Sequence, residues 1–187
     1  IIALQEWPSG DPKFSLIRVF PPAYQSMGAT YSHADQVILL VKRGVGITAR
    51  PVPLNARLPA VMAEISWNNN DPHNRRLLVA SVHLAPFQQG SHQRKEQVKG
   101  LLHKASDKSL PLLFVGDTNM RVSEDGTMEK ELKLKDVWKL AGSNPKTKFT
   151  WNTKDNRTNN GKNGGNGGGS FNRYYGKNTR EYNARYD

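Results

Sequence analysis

Continuous apolar stretches, rather than strictly alternating ones, dominate the hydrophobic pattern of this chain. Those with the length and flanks of strands are residues 1–5, 36–42, 77–84 and 112–116, together with 60–67, which alternates less cleanly. Apolar runs without alternation are typical of strands that are covered on both faces. The pattern therefore predicts a core built on buried β-strands.

Two further segments have helical periodicity. In residues 91–105 the apolar positions Val98, Leu101 and Leu102 are spaced as on one face of a helix, with charges on the other face. A second helix is predicted over residues 128–142, with Gly142 as its C-terminal cap. Helices mixed with buried strands predict an α/β or α+β domain.

The length of 187 residues fits one domain. Residues 154–172 are rich in Asn and Gly and contain almost nothing apolar, so they cannot bury enough surface to offset their ordering entropy. We expect a disordered insertion there, between two structured strands. The chain opens inside an apolar run and stops at NARYD, which resembles the start of a strand, so a fragment of a larger protein is expected.

Charge and cysteine content restrict the partners. The net charge of +11 favours polyanions, namely nucleic acid, phosphorylated substrates or anionic membrane, and a basic surface without a dedicated partner is the alternative. The absence of Cys excludes disulfides and thiolate metal sites, so a metal must have oxygen or imidazole ligands. No apolar run approaches the roughly 20 residues of a membrane span.

Polar residues occur where the predicted strands end. Glu6 follows the first strand, His83 lies near the end of the third clear strand, and Asp117 and Asn119 follow the fourth. Ligands of open α/β sheets bind at such strand ends. Asp117 and Asn119 are two positions apart, so their side chains share a face of an extended chain. We therefore expect these residues to converge on one ligand.

The chemistry open to such a set is narrow. Carboxylate oxygens without thiolates suit Mg²⁺ or Mn²⁺. A second carboxylate can orient or deprotonate a water, while an Asn amide and a protonated His can donate to phosphate oxygens. The set predicts metal-assisted phosphoester hydrolysis. Each residue alone has a structural explanation, with Glu6 leaving the core, His83 as a core histidine and GDTN as a turn. The hypothesis depends on their joint occurrence.

The chain resembles the endonuclease/exonuclease/phosphatase superfamily in six motifs: LQE (4–6), SVHL (81–84), GDTNMR (116–121), DVW (136–138), FTW (149–151) and ARYD (184–187). The Thr inside GDTN, the following Met-Arg and FTWNT are most similar to the tyrosyl-DNA phosphodiesterase 2 group, and a helix carrying Arg94 and Gln97 also fits it. The resemblance implies a DNase I-like four-layer sandwich, in which two mixed β-sheets pack face to face with helices outside.

The resemblance also implies a role for each matching residue. Glu6 is the expected Mg²⁺ ligand, and Asp117 is expected to orient or activate the attacking water. Asn119 and His83 are expected to bind the scissile phosphate. Asp187, in the RYD motif, is expected to hold a catalytic histidine in the correct tautomer.

Arg121 and Trp151 match positions near the substrate strand in the family. As alternatives, Trp151 is a packing residue and Arg121 is a surface cation or a member of a local ion pair. The family further implies a nucleic-acid partner (DNA rather than RNA), a monomer, and a nuclear or cytoplasmic location, which the absence of Cys also fits.

Two features depart from the family pattern. The family's Asn before QE and its Asp-His pair near the C-terminus are absent, and truncation at both ends is the simplest explanation, with evolutionary loss as the alternative. The segment HLAPFQQG (83–90) replaces a charged loop of the narrower group, which leaves the leaving group open.

The leading hypothesis is a Mg²⁺-dependent phosphodiesterase or nuclease that acts on nucleic acid and releases blocked 5′ ends, such as 5′-tyrosyl–DNA adducts, in DNA repair. Alternative substrates on the same fold are abasic-site DNA, RNA and a phosphoinositide. Strong basicity favours a polymer over a small head group without separating DNA from RNA. From a different class, the alternative is a non-catalytic, basic nucleic-acid-binding module.

Overall fold

The computed structural model describes residues 1–8, 19–20, 22–30, 35–55, 58–67, 73, 75–145, 151–152 and 183–184. The chain divides into two compact units, Ile1–Asn119 and Met120–Tyr186. The insertion predicted at residues 154–172 lies outside the described residues, and the single-domain organisation stays a prediction.

The first sheet is antiparallel throughout. Its strands are β1 (Ile2–Pro8), β2 (Tyr24–Thr30) and β3 (Asp35–Lys42), in the order β1-β3-β2. The central strand β3 carries the apolar run seen in the sequence, and residues 37–41 of that run are buried. A strand with neighbours on both sides and an apolar side chain at every position has to be covered on both faces.

The second sheet has one parallel pair, between β6 and β7. In sheet order its strands are β4 (Ile47–Val52), β5 (Ala60–Trp67), β6 (Arg76–His83) and β7 (Leu112–Asp117). Parallel neighbours need a crossover connection, which here is helix α1 (Ser91–Lys108). The predicted helix over residues 91–105 is therefore confirmed, with Val98 and Leu101 buried on its inner face.

The two sheets pack face to face. Val37 and Leu39 of the first sheet share one core cluster with Ala63, Ile65 and Val79 of the second. Burial of each large aliphatic side chain contributes roughly 1.5–3 kcal/mol relative to exposure. The buried strands predicted from the apolar runs are thus arranged as two stacked sheets, as the family resemblance implies.

The predicted helix over residues 128–142 is wrong as a single element. The structure has α2 (Val122–Leu132) and α3 (Val137–Leu140) instead. Lys133 adopts a left-handed conformation with φ 57°, which ends the first helix. Asp136 starts the second by accepting a hydrogen bond from the Trp138 amide at 2.9 Å. Gly142, with φ 94°, follows α3 where a C-terminal cap was predicted.

Three other elements differ from the sequence prediction. Strands β2 and β4 were not predicted, and β7 is not covered on both faces, since Leu113 is 40% exposed.

In the second unit a short antiparallel pair joins β8 (Trp151–Asn152) to β9 (Asn183–Ala184). No helix among the described residues is long and apolar enough to cross a membrane.

Gly116 brings the two sheets together at the end of β7. Its φ is +122°, a conformation that side-chain-bearing residues rarely adopt. A Cβ atom at this position would lie 2.5 Å from the Val82 carbonyl oxygen and 2.5 Å from Gln5 Nε2. The same Gln5 nitrogen donates a hydrogen bond to Ser81 Oγ at 3.0 Å, joining β1 to β6. The glycine therefore leaves the space in which β1 reaches the second sheet.

Replacement of Gly116 by Ala should lower the free energy of unfolding by about 3 kcal/mol or more, because it combines backbone strain with overlap against a carbonyl oxygen. Urea unfolding followed by tryptophan fluorescence measures this loss. Gly28→Ala is the matched control, since its Cβ would meet no atom closer than 3.9 Å. An equal loss in the two variants would contradict this explanation of Gly116.

Candidate active site

The residues predicted at the strand ends converge at one rim of the first unit. His83 and Asp117 are register partners of the parallel pair β6–β7. His83 Nε2 lies 3.7 Å from Asp117 Oδ2 and 3.8 Å from Glu6 Oε1. An imidazole therefore sits between two carboxylates that come from different sheets. We call Glu6, His83, Asp117 and Asn119 the rim cluster.

The rim cluster grades from buried to exposed. The His83 side chain is 10% exposed, that of Asp117 31% and that of Glu6 70%. This gradient places ionisable groups where a dissolved ligand can reach them.

Glu6 is delivered by a β-bulge. The pairing register between β1 and β3 shifts between Leu4 and Trp7. Within the bulge Glu6 has φ 53°, an uncommon conformation for a residue of this type. Bulges re-aim side chains beside active sites. Here the bulge leaves the Gln5 amide bonded to the second sheet and the next carboxylate exposed at the rim.

A tight turn after β7 orients Asp117. The Asn119 amide donates to Asp117 Oδ1 at 2.8 Å, an Asx-type contact two residues apart. Asn119 adopts φ 49°, which Asn tolerates better than most residues. One oxygen of the Asp117 carboxylate thus holds the turn, while the other faces His83.

Asn119 is tied to the loop that follows β6. Its Nδ2 donates to the Leu84 carbonyl at 3.0 Å. The side-chain amide nitrogen carries two hydrogens, so this bond uses one of them and leaves the second as a further donor. The turn after β7 and the loop after β6 are therefore held as one assembly.

Two side chains of helix α1 hold the loop that follows β6 by hydrogen bonds to its backbone. Arg94 is fully buried, and its Nη1 donates to the carbonyls of Ala85 at 2.6 Å and Phe87 at 2.7 Å. Gln97 Oε1 accepts from the Ala85 amide at 2.9 Å. Hydrogen bonds from a charged donor are stronger than neutral ones, and leaving buried carbonyls unpaired is costly. Arg94 and Gln97 are thus positioning residues for the loop beside His83.

Phe87 is strained and exposed at the end of this loop. Its backbone has φ 63° and ψ 167°, a region that is essentially restricted to glycine. The residue is 42% exposed, so burial of the ring does not account for the strain. Strained residues of this kind occur preferentially at functional sites.

The oxygen donors of the rim fit a hard cation that keeps most of its water. Mg²⁺ is commonly held by one or two carboxylates, with waters and substrate phosphate as its other ligands. Glu6, the most exposed carboxylate of the cluster, suits such a cation. The residues that the structure describes contain no group of three or more His, Asp or Glu side chains placed to hold a metal.

The remaining predicted residues lie in the second unit or outside the described residues. Arg121 precedes α2 in the second unit, where its carbonyl accepts from the Glu124 amide at 2.8 Å. Trp151 lies in β8 of the same unit, with its backbone paired to Ala184. Asp187 lies outside the described residues. The substrate-binding and tautomer-holding roles of these three stay predictions.

Sequence patterns alone did not give the supports of the rim. The pairing of Gln5 with Ser81 and the strain at Phe87 have no local signal, because they arise from contacts between segments far apart in sequence. The buried position of Arg94 did have a local sequence signal, since this residue shares the helical face of Val98 and Leu101 and is therefore directed into the core.

Solved structures of TDP2 and Nocturnin have the same fold. A humanized D. rerio TDP2 carrying 14 mutations aligns with 99% of this chain and 66% of its own, at 18% identity and a TM-score of 0.64. D. rerio TDP2 complexed with single-strand DNA product aligns with 99% of this chain and 67% of its own, at 17% identity and a TM-score of 0.63. The human Nocturnin catalytic domain with bound sulfate aligns with 75% of this chain and 59% of its own, at 17% identity and a TM-score of 0.58.

These likenesses confirm the DNase I-like sandwich fold and the similarity to TDP2 that the motifs indicate. The chain spans about two thirds of the length of the D. rerio TDP2 structures. No protein-family model matches the chain, and no curated protein sequence matches it. Since one fold hosts many reactions, function has to be argued from the rim cluster itself.

Replacement of Arg94 by Leu should keep the apolar stem but leave the Ala85 and Phe87 carbonyls without this donor. We expect a loss of roughly 2–4 kcal/mol in unfolding free energy, and faster hydrogen exchange at the Ala85 amide. Lys104→Leu, which removes a cation from the same helix, should change stability by only about 0.5 kcal/mol. Unchanged exchange at Ala85 would rule out the positioning role.

Glycine at position 87 should be more stable than alanine by about 1–3 kcal/mol, because only glycine adopts this backbone conformation without strain. Denaturant unfolding of Phe87→Gly and Phe87→Ala measures the difference. At an unstrained loop position alanine is the more stable of the two, so that order would contradict the conformation described for Phe87.

Proposed function

We propose that this protein hydrolyses phosphoesters at the rim cluster. The observation that carries the proposal is the position of the His83 imidazole, between a carboxylate of the first sheet at 3.8 Å and one of the second sheet at 3.7 Å, at a solvent-accessible edge. Two carboxylates, an imidazole and an amide at such an edge supply a base, a cation ligand and donors for a phosphate.

Each residue has a distinct role in this proposal. Glu6 holds a Mg²⁺ ion, or Mn²⁺ in its place, which neutralises charge on the phosphate when bound. Asp117 orients or deprotonates the attacking water through the oxygen that faces His83. His83 and the second amide hydrogen of Asn119 donate to the non-bridging oxygens as negative charge develops on them.

Nucleic acid is the substrate class that the chain favours. The net charge of +11 suits a polyanion. Phe87 presents an exposed aromatic ring on the loop that follows His83, and nucleobases stack on such rings. A structural neighbour, D. rerio TDP2, is seen with a single-strand DNA product. DNA is therefore proposed over RNA.

The specific reaction proposed is release of a blocked 5′ end, such as a tyrosyl adduct, from DNA. The motif resemblance to the tyrosyl-DNA phosphodiesterase 2 group supports this choice, together with a role in DNA repair and a nuclear location. The loop of residues 83–90 differs from that group, and this difference favours testing other esters beside it. A panel of alternative substrates should therefore be tested beside the tyrosyl adduct, namely an abasic-site duplex, an RNA oligonucleotide and a phosphoinositide.

Replacement of Asp117 by Asn should lower kcat for a 5′-phosphotyrosyl oligonucleotide by at least about 100-fold, because the charge that acts on the water is lost while the shape is kept. Release of tyrosine by the full-length protein, with Mg²⁺ and with excess chelator, measures this. Asp107→Asn, the same change on the exposed face of α1, should be neutral.

A change of less than twofold in Asp117→Asn, in an active preparation, would rule out the role of this carboxylate. Absence of turnover on every ester of the panel, with oligonucleotide binding retained, would favour the non-catalytic binding module instead.

A further inference from the structure

The loop between β6 and α1 carries one exposed aromatic ring beside the rim cluster. Positions 86–89 of this loop are exposed, whereas positions 84, 85 and 90 are buried. None of the four exposed residues is charged, and Phe87 is their only aromatic residue. The loop therefore offers a ligand an aromatic face rather than a charge, although the chain as a whole is strongly basic.

The distance from Phe87 to the rim cluster is limited by the chain. Phe87 follows His83 by four residues, so their Cα atoms lie no more than about 14 Å apart. The backbone of Leu84 is bonded to the rim on both sides. Its amide donates to the Asp117 carbonyl at 2.9 Å, and its carbonyl accepts from Asn119 Nδ2 at 3.0 Å. The ring is thus carried by a loop that is attached directly to the rim cluster.

A buried frame holds Phe87 in its conformation. Arg94 Nη1 donates to the Phe87 carbonyl at 2.7 Å, and the Gly90 amide donates to the same carbonyl at 3.2 Å. Gly90 leaves room for this frame, since a Cβ atom there would lie 3.0 Å from Arg94 Nη1 and 3.2 Å from the Ala85 carbonyl oxygen. The backbone of Phe87 is therefore fixed before any ligand binds.

The strain at Phe87 has no compensation from packing of its ring. The backbone has φ 63° and ψ 167°, which only glycine adopts without strain, and the residue is 42% exposed. An aromatic side chain has few rotatable bonds, so ordering it against a ligand costs little entropy. A rigid ring held in solvent by a fixed backbone is pre-organised for binding.

We propose that Phe87 is a specificity-determining residue that stacks on a base of the substrate strand, within the first four nucleotides from the phosphate at the rim cluster. The limit follows because about 14 Å is four steps of a stacked strand at roughly 3.4 Å each. The inference rests on the proposed function, since the rim cluster has to hold the phosphate. It adds a fixed register between that phosphate and one base.

Binding of a 5′-phosphorylated oligo(dT) to the full-length protein in Mg²⁺, followed by fluorescence anisotropy of a 3′ label, tests the stacking. This ligand is of the product type, so it is not consumed by the proposed reaction and carries no aromatic leaving group. An abasic residue at one of the first four positions should weaken binding by at least about fivefold, because one stacked base is lost. In Phe87→Leu the same replacement should change the affinity by less than about twofold.

Three further variants separate stacking from folding. Phe87→Gly should lose the dependence on the base as Phe87→Leu does, and unfolding cannot explain this loss because glycine relieves the strain. Phe87→Trp should keep the dependence, since it retains an aromatic face. Val45→Ala, which truncates a 48% exposed apolar residue beyond the C-terminal end of β3, should also keep it.

Two results overturn the proposal. One is an affinity that does not change with the abasic residue at any of the four positions. The other is an equal change in the protein and in Phe87→Leu, because the base would then bind elsewhere.

Hydrolysis of the ester panel by the same variants separates this proposal from the proposed reaction. Turnover without dependence on a base overturns the stacking alone. Dependence on a base that Phe87→Leu abolishes, in a protein that hydrolyses no ester, supports the stacking and counts against the reaction.

Discussion

Close approach of the two sheets at Gly116 is the constraint on which the rim depends. Because this residue has no side chain, Gln5 of β1 reaches the second sheet and bonds to Ser81. The next residue along β1 is Glu6, which therefore lies beside His83. A glycine directly before the aspartate is thus as much a part of the site as the carboxylate that follows it.

Three of the six described non-glycine residues with positive φ lie around this approach, and the other three, Ser109, Lys133 and Ser143, follow helices. Glu6, Phe87 and Asn119 all have positive φ, and each lies in the rim cluster or on the loop next to it. Such conformations cost roughly 1–3 kcal/mol each and persist only where surrounding contacts enforce them. The enforcing contacts are present here, in the bulge of β1, the turn at Asp117 and the buried guanidinium of Arg94.

Sequence patterns predict the parts of this structure that follow from burial. Strand β3 was found because its apolar run is continuous and buried on both faces, and helix α1 because its apolar residues recur with a helical period. Strands β2 and β4 were not, since both lie at sheet edges and contain Gly28 and Pro51, which weaken a strand signal. The rim residues were predictable as polar groups at strand ends. Their spacing was not, because it depends on a bulge and on contacts between distant segments.

Binding of Mn²⁺ followed by electron paramagnetic resonance tests the central claim most directly, because it needs no substrate. The rim cluster should bind the ion with the Glu6 carboxylate as a ligand, so Glu6→Gln should weaken the affinity for Mn²⁺ by at least about tenfold. Glu129→Gln, in the second unit, should leave it unchanged. Equal affinity in the protein and in Glu6→Gln would contradict the assignment of the rim cluster as a metal-assisted site.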